Sequence, residues 1–237
     1  MTRIKSINDM MSMLDILFRT PAPWWNKFYQ DKTKQVPFFK LYPDENLVSY
    51  FDSKCMERGK VLELGCGNGR NAIYMTELGC KVDAVDISEE AITWAKENAA
   101  SRNVEVNFIC DNVLNLDFTE NAYDFIYDCG LLHHLVPHQR MQYIELINRV
   151  LKSGGSFGVV CYAPEFEEIT GIPNRTDESI YKSYSMQGGI AYTKDDLRDI
   201  LLDYFNEVEI RNMKECRDED KLFGKEFLWA SLWRKKS

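Results

Sequence analysis

Residues 61–69 read VLELGCGNG, and three glycines at alternate positions directly after a run of strand-forming residues leave few folds open. Glycine costs backbone entropy, so such a cluster marks a turn where something approaches the main chain closely. From Lys60 onward the chain alternates strand-like and helix-like segments, the pattern of a parallel sheet with crossover helices. KVLEL, KVDAVD, VEVNFIC, YDFIYD and GSFGVVCY read as five strands. RNAIYMTEL between the first two reads as a helix ended by Gly79, Ser88 caps the next helix, Pro137 opens another and Thr193 caps a later one. FNEVEIR and EFLWASLWR then alternate like a closing antiparallel pair. The expected fold is α/β and Rossmann-like: a seven-stranded, mostly parallel sheet with an antiparallel last strand and helices on both faces.

The glycines fall at Gly65, Gly67 and Gly69, and Arg70 stands where a dinucleotide G-x-G-x-x-G fingerprint would need its last glycine. Asp86 ends the second strand and Asp111 the third, at the carboxyl edge of the sheet where open α/β folds bind ligands. Asp86 is placed for two ribose hydroxyls and Asp111 for an adenine amine, although Asp86 alone also suits a nicotinamide cofactor. At 237 residues the chain fits one such domain. It divides into a cover over residues 1–43 and a domain over 44–237, with an irregular lid at about 163–192, longer than most connections.

The segments VLELGCGNG, VDAVDIS, CDNVLNL, YDFIYDCGLLHHL and LKSGG resemble, in order and spacing, the class I methyltransferases that use S-adenosylmethionine, with Ser153 where proline is commoner. The resemblance runs from about Lys60 to Cys161. It implies that Gly65 and Gly67 let the backbone approach the methionine portion while Glu63 orders the loop. Asp86 would bind the ribose, Ile87 would lie on the adenine, and Asp111 with Asn112 and Val113 would read its edge. Cys66, Asn68, Asp128, Cys129 and Gly130 complete the implied cofactor shell, with Asp128 near the methionine amino group. Arg70 either pairs with the cofactor carboxylate or stays solvated on the first helical turn. Within the family, LGCGNGRNAIYMTELGCKVDAVD and GGIAYTKDDLRDILLDYF look closest to the tellurite-resistance and thiopurine methyltransferase group, whose members methylate small molecules. S-adenosylhomocysteine would then be the product.

Two absences narrow the acceptor. No [DN]-P-P-[YF] follows the fourth strand, and no Pro-Cys nucleophile occurs, so neither amino methylation nor C5 methylation of DNA bases is supported. His133 and His134 form the candidate base pair, against a structural reading for both. No third ligand accompanies them, so no metal site is expected. The segment PAPWWNKFYQDKTKQVPFF interleaves six aromatics with three lysines. It reads as a cover that screens the sulfonium, with Trp24, Trp25 or Tyr29 bordering the ligand, or as an RNA-stacking surface. Residues 1–40 hold seven basic and three acidic residues against 22 and 34 in the remainder, and that acidic remainder argues against nucleic acid. Tyr181 and Tyr184, with Phe166 and Met186, would border a small acceptor from the lid. Ile7, Met10, Met11, Leu14, Leu17 and Phe18 stripe the first helix, as a cover, a homodimer contact or a membrane surface would require. Its polar face is not strongly basic, which discounts the membrane. Seven cysteines without a disulfide rhythm, and no secretory signal, make a cytoplasmic protein with reduced, mostly buried thiols the expectation.

Overall fold

The structure is a computed structural model that describes residues 3–237. Strands β1 (Lys60–Leu64), β2 (Lys81–Asp86), β3 (Asn107–Cys110), β4 (Tyr123–Cys129), β5 (Leu151–Tyr162), β6 (Phe205–Asn212) and β7 (Leu228–Lys235) form one sheet in the order β3-β2-β1-β4-β5-β7-β6. β7 runs antiparallel to both of its neighbours, and every other pairing is parallel. This is the expected Rossmann-like arrangement. Its reversal point lies between β1 and β4, whose carboxyl ends carry the glycine loop and Asp128.

Both faces of the sheet are buried, so each strand alternates between two cores. Leu62, Leu64, Ile126 and Phe157 face one core, completed by Tyr143 and Ile147 of α6 (Pro137–Val150). Val61, Phe125, Tyr127 and Val160 face the other, completed by Ala72 and Met75 of α4 (Arg70–Glu77). The punctuation residues act as their chemistry demands. Gly79, at φ +94°, closes α4 with its N–H on Thr76, and Ser88 accepts the Ala91 N–H at the start of α5 (Glu89–Ser101). Thr193 caps α9 (Lys194–Leu201) through the Asp196 N–H.

Several expectations are corrected. β3 begins at Asn107 rather than Val104, and β5 starts at Leu151, where an irregularity in pairing with β4 separates Tyr123 from Phe125. The lid is not irregular: it contains α7 (Glu165–Thr170) and α8 (Asp177–Ser183), the latter started by a Thr176–Ser179 capping box. A helix that was not anticipated, α3 (Glu45–Asp52), follows the cover. The cover itself comprises α1 (Ile7–Ile16), α2 (Ala22–Gln30) and a turn at Pro37–Phe39, and its first two residues lie outside the described ones. The stripe on α1 packs only in part. Met11 is buried and Leu14 and Phe18 half-buried, while Ile7 is 73% exposed and Met10 and Leu17 are exposed too. All seven cysteines are free, but only Cys66, Cys80 and Cys161 are buried, so most are not core filler.

Candidate functional site

Gly65, Gly67 and Gly69 all adopt positive φ (+72°, +54° and +81°), which side-chain-bearing residues resist. The loop is sewn to the neighbouring strand: the Gly65 and Cys66 N–H groups both donate to the Val85 carbonyl. Asp86 stands at the centre. One carboxylate oxygen accepts the Gly67 N–H at 2.8 Å and the other the Ser88 N–H at 2.9 Å, so a single side chain joins the loop to the start of α5. Burial pushes its pKa up, and those two N–H groups oppose the shift. Each oxygen keeps a further lone pair with which to accept from a vicinal diol. The Asp111 N–H donates to the Asp86 carbonyl, bringing the end of β3 alongside. There Asp111 is exposed and holds the Asn112 N–H, while the Asn112 side chain caps the turn that buries Val113. Ile87, which follows Asp86, is half-buried.

The cover is seated on this crevice. A Cβ built on Gly67 would meet the Tyr29 hydroxyl at 2.6 Å, so the missing side chain is what admits the Tyr29 ring. Burial first, and then the Asp86 carboxylate, raise the Tyr29 hydroxyl's pKa far above its ordinary value. The cover is fastened by Asn26, whose side-chain oxygen accepts from the Ser88 hydroxyl, and by the Asn68 amide, which donates to the Phe39 carbonyl. Asn68 therefore helps to fix the roof. Trp25 borders the site, edge-on to His134 at 5.0 Å, whereas Trp24 is 41% exposed on the outer side of α2. Hollows of about 720 Å³ beside β2 and β3, and about 740 Å³ between α3 and residues 214–222, lie away from all these groups.

Three further expectations change. Arg70 is buried, neither solvated nor at the crevice mouth: its guanidinium pairs with Asp44, donates to the Tyr42 carbonyl and reaches the Cys129 sulfur at 3.1 Å. Fully buried Asp44 also accepts from Asn71 (3.0 Å) and from the Tyr127 hydroxyl (2.6 Å). Asp128 is equally buried, with protein donors on both carboxylate oxygens. It accepts the Leu131 and Leu132 N–H groups and the Tyr143 hydroxyl, clamping the turn that carries both histidines. Burial raises its pKa to about 6 despite those donors. Tyr184, at 57% exposure, points to solvent, and the Tyr181 hydroxyl meets Nδ1 of His138 at 2.9 Å instead of lining the crevice. Glu63 does lie behind the loop, where burial lifts its pKa to about 8 and Oε2 has no partner.

On the β5 side, His133 is 4% exposed and stacks on Tyr162 at 3.7 Å, which stacks in turn on Phe166 at 3.8 Å. Burial lowers the pKa of both histidines, that of His134 to about 4, so both imidazoles are neutral near pH 7. Among the described residues no cluster of three or more metal-ligating side chains forms. Sequence reasoning passed over Asp44, Tyr127, Tyr162 and His138. The last bridges Asp15 of α1 and Tyr181 of α8, at 2.9 Å to each, and so ties cover to lid. Tyr162 had a readable signal, since it ends a strand at the ligand-binding edge; the others are defined only by partners far along the chain.

Residues 61–155 match the family model described as a methyltransferase domain. An uncharacterized methyltransferase of Synechocystis is 33% identical over 101 residues, 43% of this chain and 46% of the relative. A ubiquinone biosynthesis O-methyltransferase of Coxiella burnetii is 30% identical over 133 residues, 56% of this chain and 53% of the relative. The chain thus spans about half the length of these curated relatives. Among solved structures, the magnesium protoporphyrin IX methyltransferase of Synechocystis, determined with bound S-adenosylhomocysteine, superposes with a TM-score of 0.64. That superposition covers 91% of this chain and 98% of the other at 17% identity, a likeness of fold. The match to the methyltransferase-domain model is confined to residues 61–155, and the sheet order is that of a Rossmann-like fold.

Proposed function

We propose that this chain transfers a methyl group from S-adenosylmethionine to a small-molecule acceptor. The observation that carries this reading is the Asp86 carboxylate, buried at the end of β2, bonded to the Gly67 N–H and still able to accept from a ribose diol. The residues present fit the cofactor: Gly65 and Gly67 supply the positive φ that the tight turn after β1 needs, and Ile87 and Val113 would flank an adenine. Asp111 and the Asn112 backbone would read its edge, and the Gly130 backbone would close the shell. When bound, the cofactor supplies an electrophilic sulfonium methyl. This chain's part is to orient the two reactants and exclude water, which α2 does by closing over the loop with Trp25 and Tyr29. Orientation of this kind is worth roughly 7–11 kcal/mol.

A small acceptor is supported by the inward-facing cover. Tyr29 and Phe39 are buried among Phe28 and Trp94 rather than presented as a platform for stacked bases, which favours the small acceptor over RNA. The Coxiella relative, an O-methyltransferase, adds an oxygen acceptor to the soft sulfur-type acceptors that the tellurite-resistance and thiopurine likeness suggests. The same reading has the enzyme working in the cytoplasm, with the exposed apolar side of α1 as the place where a second copy would dock; no helix among the described residues is long and apolar enough to cross a membrane. Calorimetry with S-adenosylhomocysteine tests the reading. Asp86→Ala is expected to weaken binding by about 1.5–3 kcal/mol, roughly 10- to 150-fold. Unchanged affinity would remove Asp86 from the site, and no binding by the parent protein would remove the reading.

A further inference from the structure

Resting on the methyltransferase reading, we infer that His133 is the proton acceptor of the reaction and that the acceptor substrate carries its nucleophile as a hydroxyl or thiol group. The imidazole is buried, yet its Nδ1 has no partner among the described residues. A buried polar atom left unpaired costs about 1–3 kcal/mol, so an unpartnered ring nitrogen at the ligand-binding edge of the sheet is a place where a donor belongs. The ring is held there by design of the backbone. Asp128 fixes the Leu131–Leu132 turn from behind, the Ile190 N–H donates to the His133 carbonyl at 2.9 Å, and Tyr162 supports one ring face.

Its location agrees with the chemistry. A Cβ on Gly130, at the carboxyl end of β4, would lie 3.5 Å from Cε1 of His133 and 3.7 Å from Nε2, so the ring packs against the ligand-binding end of β4 by that edge and turns Nδ1 away from it. Gly130 adopts φ +102°, which favours glycine there on backbone grounds. The surrounding titratable groups are His134, whose ring centroid is 4.4 Å away, Tyr162 in the stack and Asp128 behind the turn. His134 meets Trp25 edge-on and forms part of the cover's seat, which assigns the two neighbouring histidines different work. A neutral imidazole accepts a proton, and burial keeps this one neutral.

The step balances. The nucleophile's lone pair forms a bond to the methyl carbon while the carbon–sulfur bond breaks, its electron pair returning to sulfur. The proton leaves the nucleophile for the His133 nitrogen and later passes to solvent when the cover opens. An acceptor that arrives already ionised has no use for this group.

The test uses the full chain, with His133→Asn as the variant and three probes: 3,4-dihydroxybenzoate, 2-mercaptoethanol and hydrogen selenide, the last an anion at neutral pH. The expected result is transfer to at least one of the first two by the parent, lowered about 100-fold or more in the variant. Affinity for S-adenosylhomocysteine should stay within about twofold, and any transfer to hydrogen selenide should be unaffected. Independently of turnover, a histidine ring ¹⁵N resonance absent from the variant should shift when 3,4-dihydroxybenzoate or 2-mercaptoethanol is added to the parent bound to S-adenosylhomocysteine. Equal losses with proton-bearing and ionised probes, an unchanged rate in the variant, transfer to hydrogen selenide alone, or cofactor binding with no transfer to any probe would each overturn the inference. Failure of the parent to bind S-adenosylhomocysteine is a separate result, which would instead sink the methyltransferase reading.

Discussion

On the β1–β2 flank of the crevice, Asp86, Asp44 and Arg70 each hold two or more protein partners; on the β5 flank, Nδ1 of buried His133 and Oε2 of Glu165 hold none. The difference separates two tasks. A cofactor used in one pose can be met by a frame whose polar atoms are already satisfied, so that binding costs little reorganisation. An acceptor has to be joined to a group that is free until it arrives. Glu63 is the exception on the first flank, buried with one unpartnered oxygen and holding a proton rather than a charge near neutral pH.

Breaking the satisfied flank should give the largest effect. Arg70→Leu leaves Asp44 as a buried charge still bonded to Asn71 and Tyr127, and should lower unfolding stability by about 3–5 kcal/mol in urea titrations. A loss below about 1 kcal/mol would mean that the network is not the frame described. Glu63 sharpens the contrast through pH. Its pKa rises from 4.5 to about 8 on folding, so its contribution to stability is fully present below pH 4.5 and is lost as the pH rises through 8. Glu63→Gln, neutral throughout, should therefore gain stability relative to the parent between about pH 5 and 8.5, on the order of 3 kcal/mol. Thermal melts that move in parallel across that range would refute the assignment. The effect on the covers should be smallest. Asp15→Asn weakens a half-exposed pair with His138 and should cost about 0.2–1 kcal/mol, seen as faster amide exchange in α1 and α8 together. Faster exchange in α1 alone would show that His138 does not couple cover to lid.

Legibility followed distance along the chain. Gly79, Ser88, Pro137 and Thr193 were readable because a cap or first-turn residue acts on backbone groups within about four positions. The apolar runs of β1, β4 and β7 were readable because both sheet faces are buried. Arg70 was misread because its partner, Asp44, lies 26 residues earlier, in a stretch with no strong periodicity. The protein partners of Asp128 were not legible for the same reason: its environment is set by Tyr143 of α6 and by a turn whose direction no local pattern states. Trp24 and Trp25 are adjacent and alike in sequence, yet one faces solvent and the other His134, a division set by the seating of α2 on α5.

By itself, the order of residues determined the strand and helix succession, the glycine turn after β1 and the acids ending β2 and β3. These depend on steric limits and hydrogen bonds within a few residues, which any local window contains. Only the tertiary structure decided which charges are occupied, which imidazole is left waiting and what covers the loop. Those outcomes depend on groups brought together from distant parts of the chain, where burial sets how strongly each needs a partner.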